Sequence, residues 1–325
     1  MRIAIFGAGA IGGYMGARLA AAGADVTLIA RGPHLEAMRR DGLRLIEADG
    51  SELLTRPRVL GDSAEAGPHD YVVLAVKSHS VAPALPAILP LLGPDSAVVT
   101  AQNGVPWWYF YKLAGPWEDR RIESVDPGGR IWETIGPRRA IACVVYPACE
   151  IERPGVIRHV DDENRFSLGE PDGGRSERVA ALAQALIAAG LRAPVRARIR
   201  SEIWVKLWGN VALNPLSALT RATLAQICAE PATRAFARAV MVEVEAVAAA
   251  LGEKMAVDVE ARLNGAAEVG EHKTSMLQDL ELGRPLEVDA VVTAVVELAR
   301  VTAVPTPNLD ALDGMIRLLA RSQGR

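Results

Sequence analysis

The chain opens with a short apolar run at residues 3–6 that leads directly into a glycine-rich turn. An Ala-rich helical pattern follows at 11–22. A strand, a G-x-G-x-x-G turn and a helix in this order are typical of the unit that holds the pyrophosphate of a dinucleotide, because the glycines permit a tight turn, a close approach of the backbone to the phosphates, and close packing of the helix on the strand. We therefore predict a dinucleotide site formed by Gly7, Ala8, Gly9, Ala10, Ile11 and Gly12.

The second predicted strand, 25–30, is followed by Arg31, about 20 residues beyond the glycine-rich turn. The residue at this point of the unit meets the adenosine ribose of the cofactor. An acidic residue there accepts hydrogen bonds from a free 2′-hydroxyl and selects NAD, whereas a guanidinium pairs with a 2′-phosphate. Arg31 therefore predicts NADP(H). The alternative is a solvated charge at a strand end, which needs no ligand.

Composition narrows the class of protein. The 325 residues are 50% hydrophobic with a formal net charge of −3, which predicts two globular domains and no nucleic-acid partner. No apolar run reaches the roughly 18 residues of a membrane span. Since the first strand starts almost at once, we also expect no signal peptide and a cytoplasmic location. The 3 cysteines and 5 histidines lack metal-ligand spacing, so we expect no metal site.

Strand-like and helical patterns alternate through the first 197 residues. Apolar runs predict further strands at 71–76, 96–101, 140–146, 156–160, 165–168 and 191–195, and a helix at 176–189. Such alternation is typical of a parallel sheet covered on both faces. From residue 198 onward the spacing is helical, as in 232–251 and 288–301. We predict an α/β protein, with a Rossmann-type doubly wound sheet in an NADP-binding domain at 1–197 and an all-helical domain for substrate binding and dimerisation at 198–325.

Three polar residues, Lys206, Asn210 and Asn214, interrupt an apolar helical pattern at i, i+4 and i+8. With this spacing they lie on one stripe of a helix, which makes them a candidate wall of a substrate site. The alternative is structural: Lys206 would extend between two flanking tryptophans with its ammonium in water, and Asn214 would end the helix ahead of Pro215. The local pattern leaves both interpretations open.

A second polar cluster contains Ser275, Gln278 and, twelve residues after the serine, Glu287. It offers a hydroxyl and a carboxylate to a substrate. Ser275 and Gln278 also have the spacing of a capping box, in which Ser275 would simply start a helix that ends at Gly283. Glu287 precedes an apolar helix, where a carboxylate is stabilised by the helix dipole without any chemical role. Both interpretations are open here as well.

Five motifs, taken in order, resemble those of the ketopantoate reductase family. They are the N-terminal glycine-rich turn, Ala75-Val76-Lys77, Gln102-Asn103-Gly104, the helix with Lys206, Asn210 and Asn214, and the pair Ser275 and Glu287. The resemblance spans nearly the whole chain. It implies the reduction of 2-dehydropantoate to (R)-pantoate with NADPH, in the biosynthesis of pantothenate and coenzyme A.

The resemblance also implies two catalytic roles. Lys206 matches the family's lysine that acts as general acid toward the ketone oxygen, and Glu287 matches the carboxylate that holds the substrate hydroxyl. An ammonium suits this reaction because reduction of a ketone builds negative charge on its oxygen.

Other residues match the family's binding residues. The implied substrate-binding residues are Asn210, Asn214, Ser275 and Asn103. The implied cofactor-binding residues outside the glycine-rich turn are Asn103, at the nicotinamide end, and Lys77 and Arg31, near the adenosine phosphate.

The segment 105–137 departs from the family's pattern because it is long and carries four of the chain's 6 tryptophans. It could reshape the substrate pocket for a bulkier 2-keto acid, form an oligomer contact such as that of a homodimer, or cover the sheet as a hydrophobic flap. A reductase of a bulkier 2-keto acid on the same fold is therefore a second hypothesis. A non-catalytic NADP-binding sensor is a third, although such a protein has no use for a reactive lysine and glutamate.

Overall fold

The computed structural model describes residues 1–255 and 257–323 of the chain. They form two units, each with its own internal contacts. The first consists of Met1–Gln102, Trp107–Arg121 and Gly128–Ile199, and the second of Asn103–Pro106, Ile122–Pro127 and Arg200–Arg325.

The strands all belong to the first unit. In chain order they are β1 (Arg2–Phe6), β2 (Asp25–Ile29), β3 (Leu43–Ile46), β4 (Glu52–Thr55), β5 (Arg58–Leu60), β6 (His69–Leu74), β7 (Leu92–Thr100), β8 (Ala140–Val145), β9 (Cys149–Arg153), β10 (Val156–His159) and β11 (Phe166–Gly169). The helices are α1 (Ala10–Ala21), α2 (Gly32–Asp41), α3 (Val81–Ile88), α4 (Arg130–Ile135), α5 (Glu177–Ala188), α6 (Ile199–Thr220), α7 (Leu224–Ala229), α8 (Pro231–Ala250), α9 (Val259–Glu268), α10 (Ser275–Glu281), α11 (Ala294–Thr302) and α12 (Pro307–Ser322).

The larger sheet has seven strands in the order β11-β8-β7-β6-β1-β2-β5. Its neighbours run parallel, except that β11 is antiparallel to β8. The chain winds outward from β1 in both directions, so β1 and β6 flank the point where the winding reverses, and ligands bind outside the carboxyl ends of strands at such a point. The predicted doubly wound sheet is confirmed.

A second sheet, in the order β4-β3-β10-β9, was not expected from the sequence. Helix α1 packs between the two sheets, because a Cβ added at Gly16 would lie 2.6 Å from Leu28 of β2 and one at Gly13 would lie 2.8 Å from Ile157 of β10. The predicted strand at 156–160 therefore belongs to the second sheet.

The strand predicted at 191–195 is wrong. This stretch makes only two isolated bridges, from Arg192 to Arg165 and from Val195 to Leu168. Pro194 lies between the two bridges and has no N–H, so a continuous ladder of hydrogen bonds cannot form there.

Every regular element described in the second unit is helical, as predicted. Helix α6 runs through Pro215 to Thr220, so the interpretation that Asn214 ends this helix is wrong. Ser275 is not the cap of α10 either, because the side chain of Thr274 accepts the Leu277 N–H. A π-helical turn, Asp289–Thr293, leads into α11.

The Trp-rich segment contributes buried aromatic side chains to the first unit. Trp107, Trp108, Tyr109 and Phe110 are at most 3% exposed. The indole N–H of Trp108 donates to Thr100 Oγ1 at 3.0 Å, at the end of β7. Trp107 and Trp108 therefore offer almost no exposed surface in the single chain.

No described helix combines the length and apolar character needed to cross a membrane.

Candidate active site

The glycine-rich turn between β1 and α1 needs glycine for two different reasons. Gly7 has a φ of +98°, and a Cβ there would contact Val76 and lie 3.1 Å from the Ala75 backbone. Gly12 has no room for a side chain, because its Cβ would contact the Gly7 carbonyl and lie 2.9 Å from Ile5. At Gly9, by contrast, a Cβ would meet no atom within 4 Å. The backbone at Gly9 is therefore open to a close-lying ligand.

The backbone N–H groups of the turn fall into two sets: some form hydrogen bonds within the protein, and others can bind a ligand. The N–H groups of Gly7 and Ala8 both donate to the carbonyl of Ile29, at 3.1 and 2.9 Å. Gly9 is the N-cap of α1, and no side chain caps this helix. The first N–H groups of a helix have no acceptor inside it and carry the positive end of its dipole. The amides at the start of α1 can therefore hold a phosphate.

A cavity of about 830 Å³ lies at this turn. Its lining includes Gly7, Ala8, Gly9 and Arg31, four of the residues predicted to bind a cofactor. Ala10, Ile11 and Gly12 form the first turn of α1 and do not line the cavity, and Lys77 does not line it either, although its neighbours Val76, His79 and Ser80 do. The open backbone at Gly9, the N-terminus of α1 and the cationic Arg31 fit a dinucleotide phosphate chain.

His34 also lines this cavity. Its Nδ1 accepts the N–H of Gly155 at 2.9 Å, so the neutral ring carries its proton on Nε2. Burial lowers the pKa of His34, and a backbone hydrogen bond with Ala8 partly offsets this shift. The ring therefore favours the neutral form and links the glycine-rich turn to the β9–β10 hairpin.

The second unit brings the predicted substrate residues together. The Nζ of Lys206, on α6, donates to Oδ1 of Asn103 at 2.7 Å. Asn103, Asn214, Ser275 and Glu287 line one small hollow.

The volume of the hollow is about 10 Å³, roughly the space of one water molecule. A substrate must therefore separate these side chains or bind at the mouth of the hollow. Of the predicted stripe on α6, only Asn214 lines the hollow. Lys206 is connected to it through its hydrogen bond to Asn103, and Asn210 does not line it.

Local structure explains how the site side chains are held. Asn214 is 9% exposed within the long helix α6. Thr274 caps α10, so Ser275 occupies the first turn of that helix. Glu287 precedes the π-helical turn, and its carbonyl accepts the Val291 N–H at 3.3 Å.

Comparison with known proteins identifies the family. The family model described as ketopantoate reductase PanE/ApbA matches residues 3–109, and the one described as its C-terminal part matches residues 198–320. The 2-dehydropantoate 2-reductase of Mesorhizobium japonicum is 58% identical over 325 residues, which cover 100% of this chain and 99% of the relative. The chain belongs to the ketopantoate reductase family.

Other members agree with this assignment. The 2-dehydropantoate 2-reductase of Halobacterium salinarum is 31% identical, with 99% of both chains covered. A crystal structure of a putative ketopantoate reductase from Ralstonia solanacearum MolK2 is 44% identical with a TM-score of 0.93, covering 99% of this chain and 98% of that one. The resemblance inferred from the motifs is confirmed. As a ketopantoate reductase the chain is an oxidoreductase, and the family uses a nicotinamide cofactor.

Two residues of this ketopantoate reductase were missed from the sequence. Asp279 lines the small hollow, and its position four residues after Ser275 on one helix face was a usable signal. His34 follows Arg31 by three residues near the start of α2, but its contact with Gly155 spans 121 residues. No local pattern could have indicated that contact.

Proposed function

We propose that the chain catalyses the NADPH-dependent reduction of 2-dehydropantoate to (R)-pantoate, a step in the biosynthesis of pantothenate and coenzyme A. The observation that carries this proposal is the hydrogen bond from Lys206 to Asn103 beside the hollow lined by Asn214, Ser275 and Glu287. The near-complete coverage of a 58% identical 2-dehydropantoate 2-reductase supports the choice of substrate.

Lys206 is the proton donor in this proposal. Bound NADPH supplies a hydride to the carbon of the ketone. The Lys206 ammonium, held by Asn103, donates a hydrogen bond to the ketone oxygen, stabilises the negative charge that develops there, and transfers a proton to it. The carbonyl becomes a hydroxyl, and the neutral amine regains a proton from solvent.

The charges around the hollow orient the substrate. Asp279 and Glu287 both line it, and like-charge repulsion keeps the carboxylate end of a keto acid away from these two side chains. Glu287 instead accepts a hydrogen bond from the substrate hydroxyl. Asn214 and Ser275 are neutral donors suited to the carboxylate, and Asn210 lies one turn away on the same helix.

Arg31 supports NADP(H) as the cofactor, because it lines the dinucleotide cavity just beyond the end of β2. We assign cofactor binding to residues 1–197, including Lys77 near the adenosine phosphate, and substrate binding and homodimerisation to residues 198–325. Asn103 belongs to the second unit and contacts Lys206, which supports its role on the substrate side.

A substrate screen tests the proposal. Oxidation of NADPH is followed with 2-dehydropantoate, with trimethylpyruvate, which lacks only the hydroxyl, and with phenylglyoxylate as a bulkier keto acid. A site built to bind a hydroxyl rejects the analogue without it, so we expect kcat/KM for trimethylpyruvate to be at least about 100-fold lower. The difference should shrink in Glu287→Ala.

Turnover of phenylglyoxylate without turnover of 2-dehydropantoate would establish the second hypothesis instead. NADPH binding with no turnover of any keto acid would favour the sensor.

A further inference from the structure

The segment Asn103–Pro106 lies directly against the π-helical turn Asp289–Thr293. The N–H of Val105 donates to the carbonyl of Ala290 at 2.8 Å. Gly104 has a φ of +92°, and a Cβ there would contact the Ala290 carbonyl and lie 2.8 Å from the Ala290 Cβ. Backbone therefore packs on backbone, and no side chain fits between the two. We call this contact, with its hydrogen bond, the Gly104–Ala290 clamp.

Two residues of the proposed site flank the clamp. Asn103 directly precedes Gly104 and accepts the hydrogen bond from Lys206. Glu287 lies three residues before Ala290 and two before the first residue of the π-helical turn. The clamp therefore holds the backbone next to Asn103 against the backbone that follows Glu287.

The π-helical turn makes this approach distinctive. The Ala294 N–H reaches the Asp289 carbonyl, a spacing of five residues instead of four. Such one-residue expansions of a helix are rare and occur frequently at functional sites. Here the expanded turn contains Ala290, whose carbonyl receives the N–H of Val105.

We propose that Gly104 and Ala290 are positioning residues, which hold the Asn103 carboxamide against the Lys206 ammonium and in register with Glu287. Neither lines the small hollow or the cavity at the glycine-rich turn, so they act through Asn103. The inference rests on the proposed function in taking Lys206 as the proton donor.

Gly104→Ala tests the clamp, with Gly283→Ala as the matched control. Gly283 also has a positive φ, of +63°, but a Cβ there meets no atom within 4 Å. Both variants place alanine at a positive φ, and only the first pushes on Ala290. A displacement of about 1 Å in a site can cost about 100-fold in rate, so we expect kcat to fall by about that factor in Gly104→Ala and by less than about 2-fold in the control.

A double-mutant cycle separates positioning from a general structural effect. If the clamp acts through Asn103, Gly104→Ala should cost less than about 3-fold in a protein that already carries Asn103→Ala. The inference would be overturned if Gly104→Ala lowered kcat by the same factor in the unaltered protein and in Asn103→Ala. It would also be overturned if Gly104→Ala caused no loss in the unaltered protein. The cycle uses whichever 2-keto acid the unaltered protein reduces, so rejection of 2-dehydropantoate would count against the proposed function and not against the clamp.

If Gly104→Ala fails to fold, the same double-mutant cycle is measured with Ala290→Gly in its place. This substitution loosens the clamp from the opposite side without a clash, and Ala299→Gly, at a buried alanine of α11, controls for glycine in a helix. We expect a kcat loss on the order of 10-fold for Ala290→Gly, which again disappears in the Asn103→Ala background. A loss that persists there, or one matched by Ala299→Gly, contradicts the inference.

Discussion

The hydrogen bond from Lys206 to Asn103 orients the ammonium that we propose as the proton donor. The acceptor is a neutral amide oxygen, which orients the ammonium but binds it less strongly than a carboxylate would. A ketone oxygen is also a neutral acceptor, and in the proposed reaction it gains negative charge as the hydride arrives. The ammonium should therefore bind the transition state more strongly than it binds either the amide or the free ketone.

Lys206→Ala should lower kcat by about 100-fold to 10,000-fold, because it removes both the charge and the proton. NADPH affinity should be unchanged, since the dinucleotide cavity is lined by residues of the first unit. Lys254→Ala, at an exposed lysine, is the control and should retain full activity. Steady-state kinetics and NADPH titration check both statements, and a Lys206→Ala protein with normal turnover would refute the proton-donor role.

Arg31→Glu should abolish any preference for NADPH over NADH, because a carboxylate repels a 2′-phosphate and accepts a hydrogen bond from a 2′-hydroxyl. Arg40→Glu, in the last turn of the helix α2 that Arg31 precedes and outside the cavity lining, should leave the preference intact. The ratio of kcat/KM for the two cofactors is the measurement. An unaltered ratio in Arg31→Glu would mean that Arg31 does not contact the 2′-phosphate.

The sequence indicated individual residues well where the signal was local. The spacing of Lys206 and Asn214 placed both on α6 because helical periodicity repeats over a few residues. The partner of Lys206 is 103 residues away, and only the resemblance to a family put Asn103 among the candidates. The clamp from Gly104 to Ala290 was out of reach for the same reason.

Among the elements, α1 begins with two glycines that serve different purposes, one in packing and the other in the proposed ligand binding. Gly12 and Gly9 stand three residues apart, yet one has its Cβ position filled by neighbouring atoms and the other has open space. Gly12→Ala should lower the melting temperature of the apo protein, because the added methyl meets the Gly7 carbonyl and cannot be accommodated without moving α1.

Gly9→Ala should leave the melting temperature nearly unchanged and weaken NADPH binding by about 10-fold or more, because its methyl projects where the phosphates approach. Thermal melts with and without NADPH distinguish the two variants. The same loss of melting temperature in both apo proteins would contradict the assigned roles.

Long buried strands were predictable because continuous apolar runs bounded by turns read clearly, as for β6, β7 and β8. The strands of the second sheet are short and partly exposed, and β9 has no fully buried residue, so the apolar signal was weak. Pro215 led to the wrong prediction that the helix ends at Asn214, because a proline usually ends a helix. In the fold, α6 continues past Pro215 to Thr220.

At the scale of the whole molecule, histidines removed from solvent make the stability of the fold depend on pH. In the first unit His69 is 3% exposed, with Nδ1 2.8 Å from the Gly67 carbonyl and Nε2 3.0 Å from Thr27 Oγ1. Burial lowers the pKa of His69, as it does for His34. The unfolded chain therefore binds protons at a higher pH than the folded protein does.

Stability should accordingly fall as the pH drops below about 6.5, the ordinary value for histidine. Urea unfolding at pH 7.5 and pH 5.5 should give a lower free energy of unfolding at the acidic pH. The difference should be smaller in His69→Gln, which cannot be protonated, and unchanged in the control His272→Gln. Equal pH dependence in all three proteins would exclude His69 as a source.

The Ile29 carbonyl accepts hydrogen bonds from the N–H groups of Gly7 and Ala8 and so fixes the position of the turn. It ties the glycine-rich turn to the last residue of β2, two residues before Arg31. The distance between the glycine-rich turn and the Arg31 backbone is thereby set by covalent geometry and two hydrogen bonds. In the proposed function, lengthening the β2–α2 connection by one residue would move Arg31 away from the 2′-phosphate of NADP(H) and leave the start of α1 unchanged, so we expect a dinucleotide to bind without a preference for NADPH.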